Sequence, residues 1–406
     1  MKSYLSIFLI CITVAVDAQN LSSDSLVIRF LSEQNVPVTE NNKIKLLNGG
    51  KEKFDDLFLS IQKAKHHIHL EYFNFRDDSI AGLLFDLLAV KAKQGVKVRA
   101  MFDAFGNWSN SMPLKKRHLR EIRSNGIEIF PFDPLYFPVI NHIFCRDHRK
   151  IVIIDGETAY TGGINIADYY INGLPEIGKW RDMHVRIEGS AVGYLQNIFL
   201  SIWNKVSEQE IGGNQYYPSH EEIEGKAVAI IDRVPKKLPK QLEQTYLKSI
   251  SSAKNKIQIV NPYFLPTPAI RNELKKAIER KVKVEIMISA KSDVKFTPDG
   301  VFHATHKLMM KGADIYIYNS GFHHSKIMMV DDKFCTVGSA NLDSRSLRYD
   351  YEVNVFIFDE KTTNELNQIF EADKRNSTKM TPEVWQNRSV WRRFVGWLAN
   401  GLSPVL

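Results

Sequence analysis

Apolar and polar positions along this chain fall into two periods, and the same succession of periods occurs twice. Residues 68–75 form a β-branched and aromatic run of strand length. Residues 79–94 follow with Leu83, Leu84, Leu87 and Leu88 as an apolar stripe at helical spacing, closed by Gly95. Residues 96–102 predict the next strand, and 114–125 a basic helix ended by Gly126. Further on, 257–263 predict a strand, 268–281 a helix and 282–289 another strand. Strand–helix–strand order predicts largely parallel sheets with helices on their faces.

The two successions are copies of one unit. Ala64-Lys65-His66-His67-Ile68-His69-Leu70 matches Ala253-Lys254-Asn255-Lys256-Ile257-Gln258-Ile259. Val96-Lys97-Val98 matches Val282-Lys283-Val284, and Gly126-Ile127-Glu128-Ile129 matches Gly312-Ala313-Asp314-Ile315 in the same order. An internal repeat of this length is a duplicated α/β unit and not a short-period solenoid. The repeats predict domains at 45–207 and 223–380. A polar linker at 208–222, with Gly212-Gly213-Asn214, joins them. Residues 384–406 predict a C-terminal amphipathic helix in which Trp391, Phe394, Val395, Leu398 and Leu402 share a face flanked by Arg388, Arg392 and Arg393. That pattern fits a membrane interface and a helix packed on the core equally.

Composition narrows the class. The chain has 406 residues, 44% apolar and 25% charged, which excludes a disordered, collagen-like or polytopic membrane protein. A net charge of +8 suits an anionic partner, and also fits solvated basic faces. Three cysteines are too few for a disulfide framework, and Cys145 and Cys335 are expected as buried free thiols. At the N-terminus, Lys2 precedes an apolar run at 4–16 and Val16-Asp17-Ala18. Residues 1–18 are therefore expected to be a signal peptide or an uncleaved signal anchor, with the chain exported to the cell envelope, on the outer face of the cytoplasmic membrane.

The chemistry sits at matched places. His148-Arg149-Lys150 leads through Asp155 and Gly162 to Asn165, and His324-Ser325-Lys326 leads through Asp331 and Gly338 to Asn341. Both read H-x-K-x4-D-x6-G-x2-N. Residues two apart on a strand share a face, so each histidine and its lysine point the same way, while Asp155 and Asp331 face away or open a turn. The returning chain brings the asparagine back towards the histidine. An imidazole, an ammonium and an amide from each copy suit phosphodiester chemistry without a metal. One histidine attacks phosphorus, the other protonates the leaving alcohol, and Lys150, Lys326, Asn165 and Asn341 hold the phosphate oxygens. The pairs His66-His67 and His323-His324 hint at a metal, but the ligand spacing is wrong and none is expected. No glycine-rich nucleotide loop is present, so no cofactor is expected.

These residues resemble the phospholipase D superfamily with its duplicated H-K-D motif, and within it the bacterial cardiolipin synthases. The stretch from His69 to Asp78, Trp180-Arg181-Asp182-Met183-His184-Val185, Asn261-Pro262-Tyr263-Phe264-Leu265-Pro266, Asn341 to Ser346 and Tyr351-Glu352-Val353-Asn354 carry the closer resemblance, over 45–406. It implies an α/β fold of two pseudo-symmetric phospholipase D-type α/β/α sandwiches sharing one active site. The implied catalytic set is His148, Lys150, Asp155, His324, Lys326 and Asp331, with His148 the preferred nucleophile and the two aspartates in structural support. Asp182 and Glu352 match the acids that orient the histidines. The implied reaction joins two phosphatidylglycerols into cardiolipin through a phosphohistidine and releases glycerol. The partners are then an anionic phospholipid and a membrane surface, and no nucleic acid is expected. Such synthases commonly begin with two membrane-spanning helices, where this chain has one short apolar segment. A phospholipase D hydrolase, an exported nuclease with the same motif and a lipid-binding protein with a vestigial site are the rivals.

Overall fold

Strand-forming runs from both repeats join into one continuous sheet in the computed structural model, which describes residues 21–134, 144–220, 224–294 and 297–402. In hydrogen-bonded order the first half runs Thr39–Asn48, Met183–Glu188, Thr158–Gly162, Ile151–Ile154, His67–Tyr72, Lys97–Asp103, Glu128–Phe132. The second half runs Lys226–Arg233, Glu352–Phe358, Phe334–Gly338, Ile327–Val330, Lys256–Val260, Lys283–Ser289, Asp314–Tyr318, with Ser377–Lys379 added at the edge. Position for position the halves correspond. They meet antiparallel, where Thr39 pairs with Val228 and Asn42 with Lys226.

The sheet is less parallel than the sequence order predicts. Only three neighbouring strands of each half run parallel. The reason is turn length: Ile154 pairs with Thr158 and Val330 with Phe334, so only three residues join each pair. A parallel connection needs a crossover of a dozen or more. Asp155, Gly156, Asp331 and Asp332 take positive φ in these tight turns.

Helices cover both faces. In Ser79–Lys93 the inward row is Ile80, Leu84 and Leu88, while Leu83 is 58% exposed. Four leucines in adjacent pairs span too wide an arc for all to face the core; Ala81, Phe85 and Ala89 are buried on the same side as Ile80, Leu84 and Leu88, and Asp78 caps the helix through the Ala81 amide. Each half has its own apolar core on one side of the sheet. A third core runs across both halves on the other side, under Ala191–Ser207 and Glu360–Lys374. That shared core makes the halves one body.

Several segments differ from expectation. The predicted start at 45 falls inside the strand Thr39–Asn48. Before it, the helix Ser23–Glu33 buries Val27 and Leu31 in the core of the second half. Within the predicted linker, Tyr216 is only 6% exposed and packs on the rings of His66, His67 and His69. Both cysteines are free; Cys335 is buried and Cys145 half-buried. The predicted signal segment lies outside the described residues. Among those described, no helix is long and apolar enough to cross a membrane.

Candidate active site

His148 and His324 precede the strands Ile151–Ile154 and Ile327–Val330, so each enters at the C-terminal end of the neighbouring parallel strands. The His148 amide donates to the Tyr351 carbonyl at 3.0 Å, and the His324 amide to the Arg181 carbonyl at 2.6 Å. Each histidine is thus fixed by backbone of the other half. The next residue along supplies the acid. His148 Nδ1 donates to Glu352 Oε1 at 3.0 Å, and His324 Nδ1 donates to Asp182 Oδ2 at 2.7 Å. The carboxylates are exchanged between the halves, which sequence spacing did not reveal. With Nδ1 committed, Nε2 is the ring atom left for chemistry on both histidines.

The two arms differ. The Ser339 hydroxyl donates to Glu352 Oε2, whereas its counterpart Gly163 lies directly against Asp182. Among the described residues, Phe73 alone packs its ring on His148, at 5.1 Å between centroids. His324 is ringed by Tyr170, Trp180, Tyr263 and Phe322 at 5.4–6.3 Å. Trp180 Nε1 is buried without a hydrogen-bond partner among the described residues. Sequence reasoning quoted Trp180 and Tyr263 inside motifs but gave them no role.

Lys150 and Lys326 are buried, and each ammonium donates to the carbonyl of its own motif histidine. Burial lowers Lys150 to about 7 and Lys326 to about 8. Burial likewise lowers His148 to about 4, against the pull of Glu352, and lowers His324. Burial works to raise both acids. It is outweighed: His148, Lys150 and Ser339 hold Glu352 below the ordinary carboxylate range, and His324 and Lys326 do so for Asp182. Asn165 and Asn341 are buried beside the motifs. Their amide nitrogens donate to Tyr170 at 3.2 Å and to Ser346 at 3.5 Å, and both Oδ1 atoms lack a partner among the described residues. A pair of buried cations, with the second Nδ2 hydrogen of each amide, supplies donors for an anion with several acceptor oxygens.

Asp155 and Asp331 stand apart from this group. Each opens the turn at the far end of its strand. Asp155 accepts the amides of Lys65, His66 and His67 at 2.7–2.9 Å, and Asp331 those of Lys254, Asn255 and Lys256 at 2.7–2.9 Å. A strand of four residues separates each from its motif histidine. The His66-His67 pair is also structural. His67 Nε2 and His69 Nδ1 both bond the Gln196 amide, at 3.1 and 3.0 Å, and Arg99 donates to Nε2 of His69.

One part of the site had no sequence signal. Beneath His148, buried Arg149 reaches Glu71 at 3.4 Å and Asp232 of the other half. Arg146 reaches Asp133 at 2.6 Å and Asp103 at 3.4 Å, and its amide donates to Asp350. These ions hold the first motif to the second half, and Ser325 replaces Arg149 in the second motif.

Comparison with known proteins agrees with this geometry. The family model described as "Cardiolipin synthase, PLD-like domain" matches residues 57–203 and again 246–374. A cardiolipin synthase of Oceanobacillus iheyensis is 36% identical over 94% of this chain and 79% of its own. One of Listeria innocua is 37% identical over 91% and 76%. Among solved structures, a phosphatidylserine synthase of Haemophilus influenzae superposes with a TM-score of 0.73 at 15% identity, covering 94% of this chain and all of that one. At that identity it speaks for the fold alone.

Proposed function

Because this chain belongs to the cardiolipin synthase family with phospholipase D-like domains, we propose that it transfers a phosphatidyl group from one phosphatidylglycerol to the hydroxyl of another, making cardiolipin and releasing glycerol. The observation that carries the reading is the exchange of carboxylates, which ties both histidines into one site from two halves.

In the first step His148 Nε2 attacks phosphorus. A P–N bond forms, the P–O bond to glycerol breaks, and His324 gives its Nε2 proton to the departing oxygen. In the second step His324 takes the proton of the incoming lipid hydroxyl, whose oxygen attacks phosphorus as the P–N bond breaks. Both histidines return to their starting states. His148 is assigned the attack, with a lone pair on Nε2 once burial holds the ring neutral; burial lowers His324 as well, so the adduct experiment below assigns the two roles. Lys150, Lys326, Asn165 and Asn341 are assigned the non-bridging oxygens. The phosphate's negative charge supports the protonated lysines and, beside them, a protonated His324. The aromatic ring around His324 supports transfer over hydrolysis, since the entering alcohol sits there and water is disfavoured. The apolar run after Lys2 supports work at the cell envelope, on a membrane surface.

The test is incubation with labelled phosphatidylglycerol vesicles, with lipids resolved by mass spectrometry. Cardiolipin and free glycerol are expected, both absent with His148→Ala. Phosphatidic acid in their place would make the chain a hydrolase. An acid-quenched His324→Ala variant given a substrate with a good leaving group should carry a phosphatidyl adduct on His148. An adduct on His324 in the His148→Ala variant would reverse the two roles.

A further inference from the structure

The helix Val390–Leu402 is amphipathic with its apolar side outward. Its small residues face the protein. Gly396 lies against Asp299 and His303, and Ala399 against Gly300, all on the helix Thr297–Met309. Arg388, just ahead of it, pairs with Asp299 and sits 4.0 Å over the Phe302 ring, which fixes the helix at its start. The bulky side chains turn the other way. Trp391 is 69% exposed, Phe394 49%, Trp397 58% and Leu398 46%, and successive rings of the three aromatics are 5.9 Å apart. A helix held only by a soluble core presents the opposite arrangement, with its apolar stripe inward.

The position of this row is as informative as its polarity. A β-carbon on Gly300 would touch both Ala399 at 3.1 Å and Leu265 at 3.4 Å. Leu265 belongs to the loop that carries Tyr263, which packs on His324. The row therefore rims the His324 side of the site. On the His148 side, Trp108 is 72% exposed on the short helix Ala104–Ser109, and Gly106 of that helix abuts Phe73, the ring on His148. The loop with Tyr263 and Leu265, on which the first of these rests, and the helix Ala104–Ser109 each follow the C-terminal end of a parallel strand, the end where the histidines sit. Charge adds a preference for the partner's sign: residues 388–402 hold three arginines and no acid. Arg392 and Arg393 lie beside the aromatics.

We infer that Val390–Leu402 seats the mouth of the active site on an anionic lipid bilayer, with Trp391, Phe394, Trp397 and Leu398 entering the boundary between headgroups and acyl chains. The choice of a bilayer rests on the phosphatidyl-transfer reading together with the charge of the helix. A lipid substrate leaves its membrane least when the site mouth lies against that membrane. Aromatic and aliphatic side chains with flanking arginines are the composition that binds such a boundary.

The test uses the full chain and vesicles of equal parts phosphatidylglycerol and phosphatidylcholine, the latter brominated in its acyl chains to quench nearby tryptophan. Quenching of the wild type is expected, and most of the quenchable emission should be lost in Trp391→Phe/Trp397→Phe, which keeps the apolar row, Trp108 on the other rim supplying the remainder. In Trp391→Ser/Phe394→Ser/Trp397→Ser, turnover of vesicle phosphatidylglycerol should fall at least tenfold. Turnover of the same lipid in detergent micelles should stay within twofold. The inference is overturned if the tryptophan-to-phenylalanine variant leaves the quenchable emission unchanged. It is equally overturned if the serine variant turns over vesicles like the wild type, or if it changes the oligomeric state because the row binds a second copy. Wild-type protein that is quenched through this row yet converts phosphatidylglycerol in neither presentation would sink the reaction and leave the docking standing.

Discussion

Asp182 and Glu352 hold their histidines with side chains of different length, and one position in each half takes up the difference. Where Glu352 receives the Ser339 hydroxyl, Asp182 fills the space beside Gly163, and a β-carbon there would lie 2.2 Å from Asp182 Oδ1. Gly163→Ala is therefore expected to push Asp182 aside and tilt His324. Its kcat should fall at least about tenfold with a folded chain, inside the roughly 10⁴-fold loss that mis-setting a catalytic histidine's tautomer brings. Ser339→Ala removes one hydrogen bond and displaces nothing, so it should cost less. Steady-state kinetics beside thermal melts would decide, and equal losses would refute the argument. The same side chains fix a pH profile. With His148 at about 4, Lys150 at about 7 and Lys326 at about 8, kcat/KM should rise as His148 loses its proton near pH 4. It should fall first as the free enzyme's His324, which burial lowers from 6.5, loses the proton it gives, and again between pH 7 and 8 as the lysines lose theirs. A profile flat from pH 6 to 9 would remove the lysines from phosphate binding.

Strands and helices explain why the third letter of the H-K-D motif is invariant between the halves without standing at the site. Asp155 and Asp331 each gather three successive backbone amides and so fix the start of His67–Tyr72 and of Lys256–Val260. Losing three charge-assisted bonds at once is expected to cost about 2–4 kcal/mol. Asp155→Ala should thus lower the urea midpoint markedly while kcat per folded molecule stays within about threefold. A collapse of kcat at full stability would put the residue back in the chemistry. A second pair tests the facing of Ser79–Lys93. Leu84→Ala should cost about 2–5 kcal/mol, and Leu83→Ala less than about 0.5. The sequence predicted that helix to within a residue of its end but not its facing, because Leu83 and Leu87 extend the apolar surface beyond the side that Ile80, Leu84, Phe85 and Leu88 turn to the core.

The molecule as a whole is built so that neither half is complete. The duplication, its order and the equal spacing of the two motifs were legible because local spacing survives duplication. The crossing of Asp182 to His324 and of Glu352 to His148 was not, because it depends on where distant strands meet. The burial of Tyr216 was hidden for a similar reason: a polar, glycine-containing segment reads as a linker whether or not one aromatic in it is pinned.

Joining the halves across a site for an anion also has a stability cost, and its pH dependence can be derived. Lys150 carries an ordinary value of 10.5 when unfolded and about 7 when folded. Below pH 7 the folded chain holds a buried charge that the unfolded chain solvates. Between about 7 and 10.5 unfolding takes up a proton, so the penalty shrinks with rising pH and is gone near 10.5. At about 1.36 kcal/mol per pH unit, the full penalty is on the order of 4–5 kcal/mol. Lys150→Met keeps the stem and removes the charge. It should therefore raise the urea midpoint at pH 6.5, raise it less at pH 8.5 and leave it unchanged near pH 10.5, while activity is lost at every pH. His67 and His148 act in the opposite pH range. Both fall from 6.5 to about 4 on folding, so the stability they leave intact above pH 6.5 is lost as pH drops towards 4. The histidines' share of the midpoint should accordingly decline from pH 6.5 to pH 4, opposed by Asp103 and Asp350, which burial raises to about 7 and about 8, and Lys150→Met should reduce only the climb above pH 7, Lys326 keeping its own part of it. A midpoint gain for Lys150→Met that is constant with pH would mean that packing, and not the buried charge at the phosphate seat, limits the stability of this fold.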